Sequence, residues 1–170
     1  EKSTFSSVQK EAAEIEKYYI EQYGNQIYAV CGMSMGGSIA AALWANGKLH
    51  MDKLFLDGAP LVRQNKLLTV LLTNQYISLT RKTRQRDVKT LNKCEKTFIP
   101  KPYMQCFLEM MDAMNDETIK NGVTSVGQFQ LPNHVKWDNI DVIYYHGTTL
   151  NEMVAKKSAK YLKKHYPQAN

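Results

Sequence analysis

The first sixty residues alternate between helix-like hydrophobic spacing and the short continuous apolar runs typical of buried strands. In residues 5–22, apolar side chains recur every three or four positions, which predicts an amphipathic helix that ends at Gly24. The run Ile27–Cys31 predicts a fully buried strand of a parallel sheet. A helix over 38–45 and a second buried strand over 53–57 follow. This order of elements predicts an α/β fold with a parallel sheet.

The pattern changes after residue 60. Residues 61–80 carry leucines on one side of a predicted helix, at positions 61, 67, 68, 71 and 72, and residues 102–114 are rich in Met and aromatic side chains. The Met-rich segment could line an apolar pocket, or it could be the face by which a helix packs. Residues 61–138 are therefore predicted to form a mostly helical insertion.

The end of the chain returns to the first pattern. Residues 140–145 predict a strand, and Thr149 with Glu152 matches a capping box at the start of a final helix. The predicted core thus consists of residues 1–60 and 139–170, on either side of the insertion.

Composition excludes several classes of protein. The chain has 170 residues, of which 44% are hydrophobic and 22% charged, as in an ordinary globular domain. No apolar run approaches the roughly 20 residues that span a bilayer, and no targeting segment is visible at the N-terminus. The three cysteines form no pair with metal-ligand spacing, so neither a metal site nor a disulfide framework is expected. We therefore expect a cytoplasmic protein.

The net charge of +6 is confined to one stretch. Residues 81–101 carry the whole excess, and the acidic and basic residues of the remaining chain balance. The stretch could attract an anionic substrate or surface, although a solvated helix face commonly explains such runs. No aromatic residue is interleaved before Phe98, so binding of nucleic acid is not expected.

The segment Gly32–Gly37, with the sequence Gly-Met-Ser-Met-Gly-Gly, carries the clearest chemistry. It matches G-x-S-x-G and lies between a predicted strand and an Ala-rich helix. So sharp a turn holds Ser34 in strained backbone geometry, and small residues two before and two after it allow strand and helix to pass closely. Ser34 Oγ would then be exposed at the carboxyl edge of the sheet, and the Met35 N–H would point to a developing oxyanion. The alternative is a Gly/Ser turn in another doubly wound fold.

This arrangement resembles the α/β-hydrolase superfamily, in particular its serine hydrolases with a helical cap. Met51–Pro60 is similar to the next core strand, residues 61–138 stand where the family inserts its cap, and Ile140–Gly147 looks like the strand that leads to the triad acid. The resemblance implies a parallel-sheet core, Ser34 as the nucleophile, and no cofactor or metal. It also implies that the family's early strands precede residue 1 and that its last strand follows residue 170.

The sequence does not decide which residue is the acid of the implied Ser–acid–His triad. The resemblance places it about three residues after His146-Gly147, where no carboxylate stands. Glu152 is the nearest candidate, and its role in the capping box is an equal alternative. Asp57, at the end of the preceding core strand, is the second candidate, with a strand-exit role as its alternative.

The histidine is expected outside these 170 residues, because the family places it beyond one more strand. None of the four histidines of the chain is predicted to be the general base: His50, His134, His146 and His165. The chain alone is therefore expected to have little or no activity.

Three functions remain open. The first is a serine hydrolase that cleaves a small ester, thioester or amide with an apolar portion through an acyl-enzyme on Ser34. The second is a non-catalytic domain of the same fold that binds a ligand through its cleft or cap. The third is a basic interaction module that acts through residues 81–101. The sequence leaves the oligomeric state open.

Overall fold

The computed structural model describes residues 4–97, 99–136, 139–148 and 152–170. The chain divides into two compact units, a sheet unit of residues 6–65 and 125–170 and a helical unit of residues 1–5 and 66–124. The predicted insertion, 61–138, is longer than the helical unit at both ends. Its role as a cap over the core stays a prediction.

The sheet unit contains three parallel strands in the order β1-β2-β3. The strands are β1 (Gln26–Met33), β2 (His50–Asp57) and β3 (Asp141–Tyr145). The helices of this unit are α1 (Val8–Tyr23), α2 (Met35–Asn46) and α7 (Met153–His165). The predicted order of helix, strand, helix and strand is confirmed, and so is the parallel sheet.

The core of the sheet unit centres on β2, which pairs on both sides. Leu54 and Leu56 of β2 and Val142 of β3 are fully buried. The prediction of a fully buried β1 is wrong, because Tyr28 and Met33 are 68% and 70% exposed. Among the described residues β1 pairs with β2 alone and stands at the edge of the sheet. A continuous apolar run does not distinguish an edge strand from a central one.

The ends of the helices follow local signals. Ser7 caps α1, since its hydroxyl accepts a hydrogen bond from the Lys10 N–H at 3.1 Å. The chain leaves α1 through Gly24, as predicted, and leaves α2 through Gly47 in the left-handed conformation (φ 68°). The predicted capping box at the start of α7 depends on Thr149, which lies outside the described residues.

The helical unit comprises α3 (Lys66–Arg84), α4 (Val88–Thr97), a 3₁₀ turn (Lys101–Tyr103), α5 (Met104–Ala113) and the start of α6 (Asp116–Gln128). Its buried cluster consists of Cys94, Phe107 and Met111. Two of these three residues belong to the Met-rich segment, so part of that segment packs within the helical unit itself. Met110 and Tyr103 of the same region are exposed.

Helix α3 reverses the expected pattern of burial. Leu67, Leu68 and Leu71 were expected on its packed side, but all three are exposed. The residues that α3 buries are threonines at positions 69, 73, 80 and 83. The apolar stripe of the sequence therefore misidentified the packed face, because a buried threonine can satisfy its hydroxyl within its own helix. Thr73 and Thr83 do so, donating to the carbonyls four residues earlier at 2.8 and 2.9 Å.

Helix α6 was not predicted. The start of this helix is marked by Asn115, whose side-chain oxygen accepts a hydrogen bond from the Thr118 N–H at 2.7 Å, as a helix N-cap does. The helix continues through Gly122 and Gly127.

Candidate functional site

The strand–helix turn at Ser34 has the strained backbone that its motif predicts. Ser34 has φ 49° and ψ −119°, a conformation that residues with a side chain rarely adopt. It follows the last residue of β1 directly and precedes the first residue of α2, and it is exposed. The predicted local geometry of this turn is confirmed.

Glycine is required at two positions around Ser34. A Cβ on Gly32 would lie 2.4 Å from the carbonyl oxygen of Gly36, and one on Gly37 would lie 2.5 Å from the Cβ of Ala59. A Cβ on Gly36 would meet nothing within 4 Å. The need for a small residue is thus confirmed before Ser34. After it, the tight contact falls one position later than predicted, because Gly37 is the residue that faces the exit of β2.

Backbone hydrogen bonds fix the turn to the neighbouring strand. The Ser34 N–H donates to the carbonyl of Asp57 at 2.8 Å, and the Ser38 N–H donates to the carbonyl of Ser34 at 3.2 Å. The buried Ser38 hydroxyl donates to the carbonyl of Pro60 at 2.8 Å. These contacts hold the start of α2 against the end of β2. In the first turn of α2, the Gly37 and Ser38 N–H groups both donate to the Ser34 carbonyl, whereas Met35 and Gly36 lie too near the helix start to have an intrahelical partner, and the N-terminus favours negative charge.

The register of the sheet brings three strand ends to one edge. Met33, Asp57 and Tyr145 are aligned across β1, β2 and β3. Ser34 and His146 therefore leave the same edge of the sheet, with the end of β2 between them. Neighbouring strands lie about 5 Å apart, so Ser34 and His146 are separated by about 10 Å in the sheet direction.

The two candidate acids both lie at this edge. Asp57 is exposed, and its carbonyl already serves the turn at Ser34. Glu152 packs against Gly147, since a Cβ on that glycine would lie 3.0 to 3.1 Å from Glu152 Cγ, Cδ and Oε1. This contact brings the Glu152 carboxyl group to the residue that follows His146.

Tyr144 is a member of this edge that the sequence analysis did not single out. Its hydroxyl lies 2.8 Å from the carbonyl of Ala59 and 3.2 Å from that of Ala155. Burial, with a smaller contribution from the nearby carboxylates of Glu152 and Asp57, raises the pKa of Tyr144 to about 12. Tyr144 is thus a neutral hydrogen-bond donor that joins the exit of β2 to the first turn of α7, close to both candidate acids. Only the tertiary structure reveals it, because its sequence context is that of an ordinary strand residue.

The four histidines lie apart from Ser34 along the sheet or on other elements. His146 Nδ1 lies 2.8 Å from the carbonyl of Gly147. His165 is half-buried at the end of α7, with its ring 4.5 Å from that of Tyr161. His50 begins β2 and His134 precedes β3, so both belong to the opposite edge of the sheet.

A cavity of about 280 Å³ lies at that opposite edge, away from Ser34. His50, His134 and Lys136 line it together with Trp44 and Ile140. It lies where α2 ends and β2 begins, and none of the predicted site residues lines it.

Within the described part of the chain, no three His, Cys, Asp or Glu side chains come together as ligands for a metal ion. Across the same residues, no helix is both long and apolar enough to cross a membrane.

Comparison with solved structures identifies the fold. An alpha/beta hydrolase family protein from Desulfitobacterium hafniense matches 95% of this chain with a TM-score of 0.69 at 16% identity. An esterase from Exiguobacterium antarcticum matches 96% with a TM-score of 0.64 at 19% identity. A thermophilic esterase from Thermogutta terrifontis, solved with malate bound, matches 99% with a TM-score of 0.63 at 13% identity.

The described chain therefore has the α/β-hydrolase fold, as the sequence predicted. It spans 64%, 63% and 64% of those three solved chains, respectively, so it corresponds to part of the fold. No protein-family model matches the sequence. No curated protein matches it either.

Proposed function

We propose that the protein is a serine hydrolase that cleaves a small ester, thioester or amide with an apolar portion through an acyl-enzyme on Ser34. The observation that carries the proposal is the exposed Ser34 at φ 49°, between the end of β1 and the N-terminus of α2. A strained conformation held by close glycine contacts is typical of functional sites. Two of the matched structures are esterases, which supports the same class of reaction.

The chemistry follows from the position of Ser34. Its Oγ attacks the substrate carbonyl, and the negative charge develops on the carbonyl oxygen. The Met35 N–H, in the first turn of α2, donates to that oxyanion, and the helix N-terminus adds a favourable dipole. Ser34 loses its proton to a histidine acting as general base, because a serine hydroxyl without a base is a weak nucleophile at neutral pH. No metal or cofactor takes part in these steps.

We assign the base to a histidine outside these 170 residues. The base must lie between the nucleophile and the acid. His146 does not meet this requirement with either acid, because the end of β2 separates it from Ser34 by about 10 Å in the sheet direction and its Nδ1 faces the carbonyl of Gly147. The chain also spans only about two thirds of the matched hydrolases, which leaves room for a base elsewhere in the protein.

Of the two acids, we favour Glu152. An imidazole between Ser34 and the acid needs a gap wider than one strand spacing. Asp57 is on the strand next to Ser34, about 5 Å away in the sheet direction, whereas Glu152 packs on Gly147 beyond β3. The Glu152 side leaves about 10 Å for the imidazole. Asp57 then has the role of holding the turn through its backbone carbonyl.

We also propose a cytoplasmic location, in line with a reducing compartment. All three cysteines of the chain are free, and Cys31 and Cys106 are exposed.

A fluorophosphonate probe tests the nucleophile in the full-length protein. We expect wild type to be labelled and Ser34→Ala to remain unlabelled, because the probe reacts with an activated serine hydroxyl. The matched control is Ser78→Ala, which removes an exposed serine from the middle of α3 and should be labelled like wild type. Equal labelling of Ser34→Ala and wild type would rule out the assignment of Ser34.

The same assay separates the two acids. Glu152→Gln should slow labelling by roughly 10³-fold or more, the scale of losing a triad acid, and Asp57→Asn should stay within about threefold of wild type. The reverse order would move the acid to Asp57.

The alternative function is a non-catalytic binding domain of the same fold. It is favoured by the separation of Ser34 from all four histidines of the chain. A folded wild-type protein that remains unlabelled would support this alternative.

A further inference from the structure

The basic stretch 81–101 contains two groups of residues that behave differently. Its three arginines form ion pairs within the helical unit. Arg81 donates to Asp116 at 2.5 Å and Arg86 donates to both carboxylate oxygens of Asp112 at 2.7 and 2.9 Å. Arg84 lies 3.7 Å from Asp116. The arginines therefore serve to join α3 to α5 and α6.

The lysines of the stretch remain on the surface. Lys82, Lys89, Lys93, Lys96 and Lys101 are all exposed. Within the described ranges, none of them forms an ion pair. The positive charge that is free to meet a partner is thus carried by ammonium groups.

Three of these lysines form one face of α4. Lys89, Lys93 and Lys96 are spaced i, i+4 and i+7, which aligns them on one side of the helix. Cys94, 1% exposed, marks the opposite, packed side. We call these three residues the lysine face.

The acidic groups near this face do not neutralise it. Asp87 is occupied as the cap of α4, since its Oδ1 accepts hydrogen bonds from the Thr90 N–H and hydroxyl at 2.8 and 2.6 Å. Those bonds lower the pKa of Asp87, and the charges of Lys82 and Lys89 contribute. Glu95 is the other carboxylate of this segment, and at the helical spacing of 100° per residue it lies about as far around α4 from the lysine face as Cys94 does.

We propose that the lysine face binds an anionic lipid surface, as a peripheral contact that is separate from the proposed chemistry at Ser34. Lysine clusters on an amphipathic helix are attracted to anionic lipids. The guanidinium forks suited to bidentate phosphate recognition are engaged with aspartates, which leaves point charges suited to a diffuse anionic surface. The exposed side of a helix also presents no groove for a single small anion.

Exposed apolar residues favour lipid over nucleic acid. Val88 precedes the lysine face and is 68% exposed, and Tyr103 follows Lys101 and is 63% exposed. Such side chains can enter the boundary between headgroups and acyl chains. In contrast, α4 contains no aromatic residue on which a base could stack.

The contact should be weak and sensitive to salt. One lysine near an anionic surface changes partitioning by about fivefold, so three lysines together contribute roughly 100-fold. The interaction acts within a Debye length of about 8 Å at physiological ionic strength. High salt should therefore release the protein.

Sedimentation with vesicles tests the proposal on the full-length protein. The vesicles contain 30% phosphatidylserine in phosphatidylcholine, with pure phosphatidylcholine vesicles for comparison. We expect binding to the anionic vesicles at low salt, a loss of roughly 100-fold in K89Q/K93Q/K96Q, and release by 0.5 M salt. The matched control is K160Q/K163Q/K164Q, which removes three exposed lysines from α7 in the sheet unit and should retain most of the binding.

Several outcomes would overturn the proposal. Equal losses in both triple variants would assign binding to net charge and not to α4. Equal binding to both kinds of vesicle would exclude charge recognition. Binding of single-stranded oligonucleotide through the lysine face, with no binding to anionic vesicles, would assign the face to a different partner.

Discussion

The sheet unit and the helical unit bury different kinds of side chain. In the sheet unit, the fully buried side chains include Leu54, Leu56 and Val142, which come from two adjacent parallel strands. In the helical unit, the long helix α3 buries four threonines and exposes Leu67 and Leu71 at 68% and 58%. Both units expose some apolar residues, Tyr28 and Met33 of β1 among them, but Leu54 and Leu56 of the central strand are inside, whereas the leucines at 67, 68 and 71 of α3 face outward.

The difference shows which interactions hold each unit together. Parallel strands that pair on both sides place their aliphatic side chains in a common core, and burial of that apolar area stabilises them. The helical unit has a small cluster around Cys94, Phe107 and Met111, and arginine–aspartate pairs join its helices. We therefore expect the sheet unit to respond to changes in volume and the helical unit to respond also to pH and salt.

The largest effect should come from truncation in the sheet core. Leu54→Ala removes a fully buried side chain from the central strand and should lower the free energy of unfolding by about 3 kcal/mol. Leu71→Ala, the same change at an exposed position of α3, should stay within about 0.5 kcal/mol. Urea unfolding monitored by circular dichroism measures both. If Leu71→Ala lowers the free energy of unfolding as much as Leu54→Ala does, this side of α3 is packed in the protein and the contrast between the units fails.

A smaller effect should come from the strand–helix turn at Ser34 in the sheet unit. Gly32→Ala places a Cβ 2.4 Å from a backbone carbonyl oxygen and should destabilise the protein by about 2 kcal/mol. Gly36→Ala has open space and replaces a helical glycine, so it should stabilise by about 0.5 kcal/mol. Thermal unfolding of the two variants compares identical changes four residues apart. Equal destabilisation by both would show that the close contact at Gly32 does not control this turn.

The smallest effect should be a pH-dependent one in the helical unit. The hydrogen bonds from Arg86 lower the pKa of Asp112 below its ordinary value of 3.8. The stabilisation from this pair is therefore fully present above pH 3.8 and is lost as the pH falls through the lowered pKa. The melting temperature of Asp112→Asn should lie below that of wild type at pH 7, and the difference should shrink towards pH 3.

The control for that experiment is Asp52→Asn, the same loss of charge at an exposed position of β2. It should show little of this pH dependence. A gap between wild type and Asp112→Asn that stays constant down to pH 3 would contradict the ion-pair explanation.

The parts of the fold that the sequence predicted are those with strong local signals. The strand before Ser34, the helix after it and the next strand were predicted because the hydrophobic period changes sharply at Gly32–Gly37. The exposure of Tyr28 was not, because a run of apolar residues is the same in edge and central strands. The backbone conformation of Arg86, just after α3, was not predicted either, because its φ of 57° is one for which glycine is the usual residue.

The candidate site shows the same division. Ser34 and its strained turn were predictable, because only a small set of residues permits so close a passage of strand and helix. The proposed preference for Glu152 over Asp57 was not predictable, because it rests on where each carboxylate lies relative to the strand ends. The contact of Glu152 with Gly147 and the half-buried Tyr144 close to both carboxylates appear only when β3 and α7 are brought together.

The sequence by itself determined the fold class, the strand–helix turn at Ser34 and the confinement of the net charge to residues 81–101. The tertiary structure decided which groups in each region remain available. It separated three arginines in internal ion pairs from five exposed lysines, and it turned the leucines of α3 outward. The reason is physical. Local spacing is written along the chain, but burial and pairing depend on neighbours that are distant in sequence.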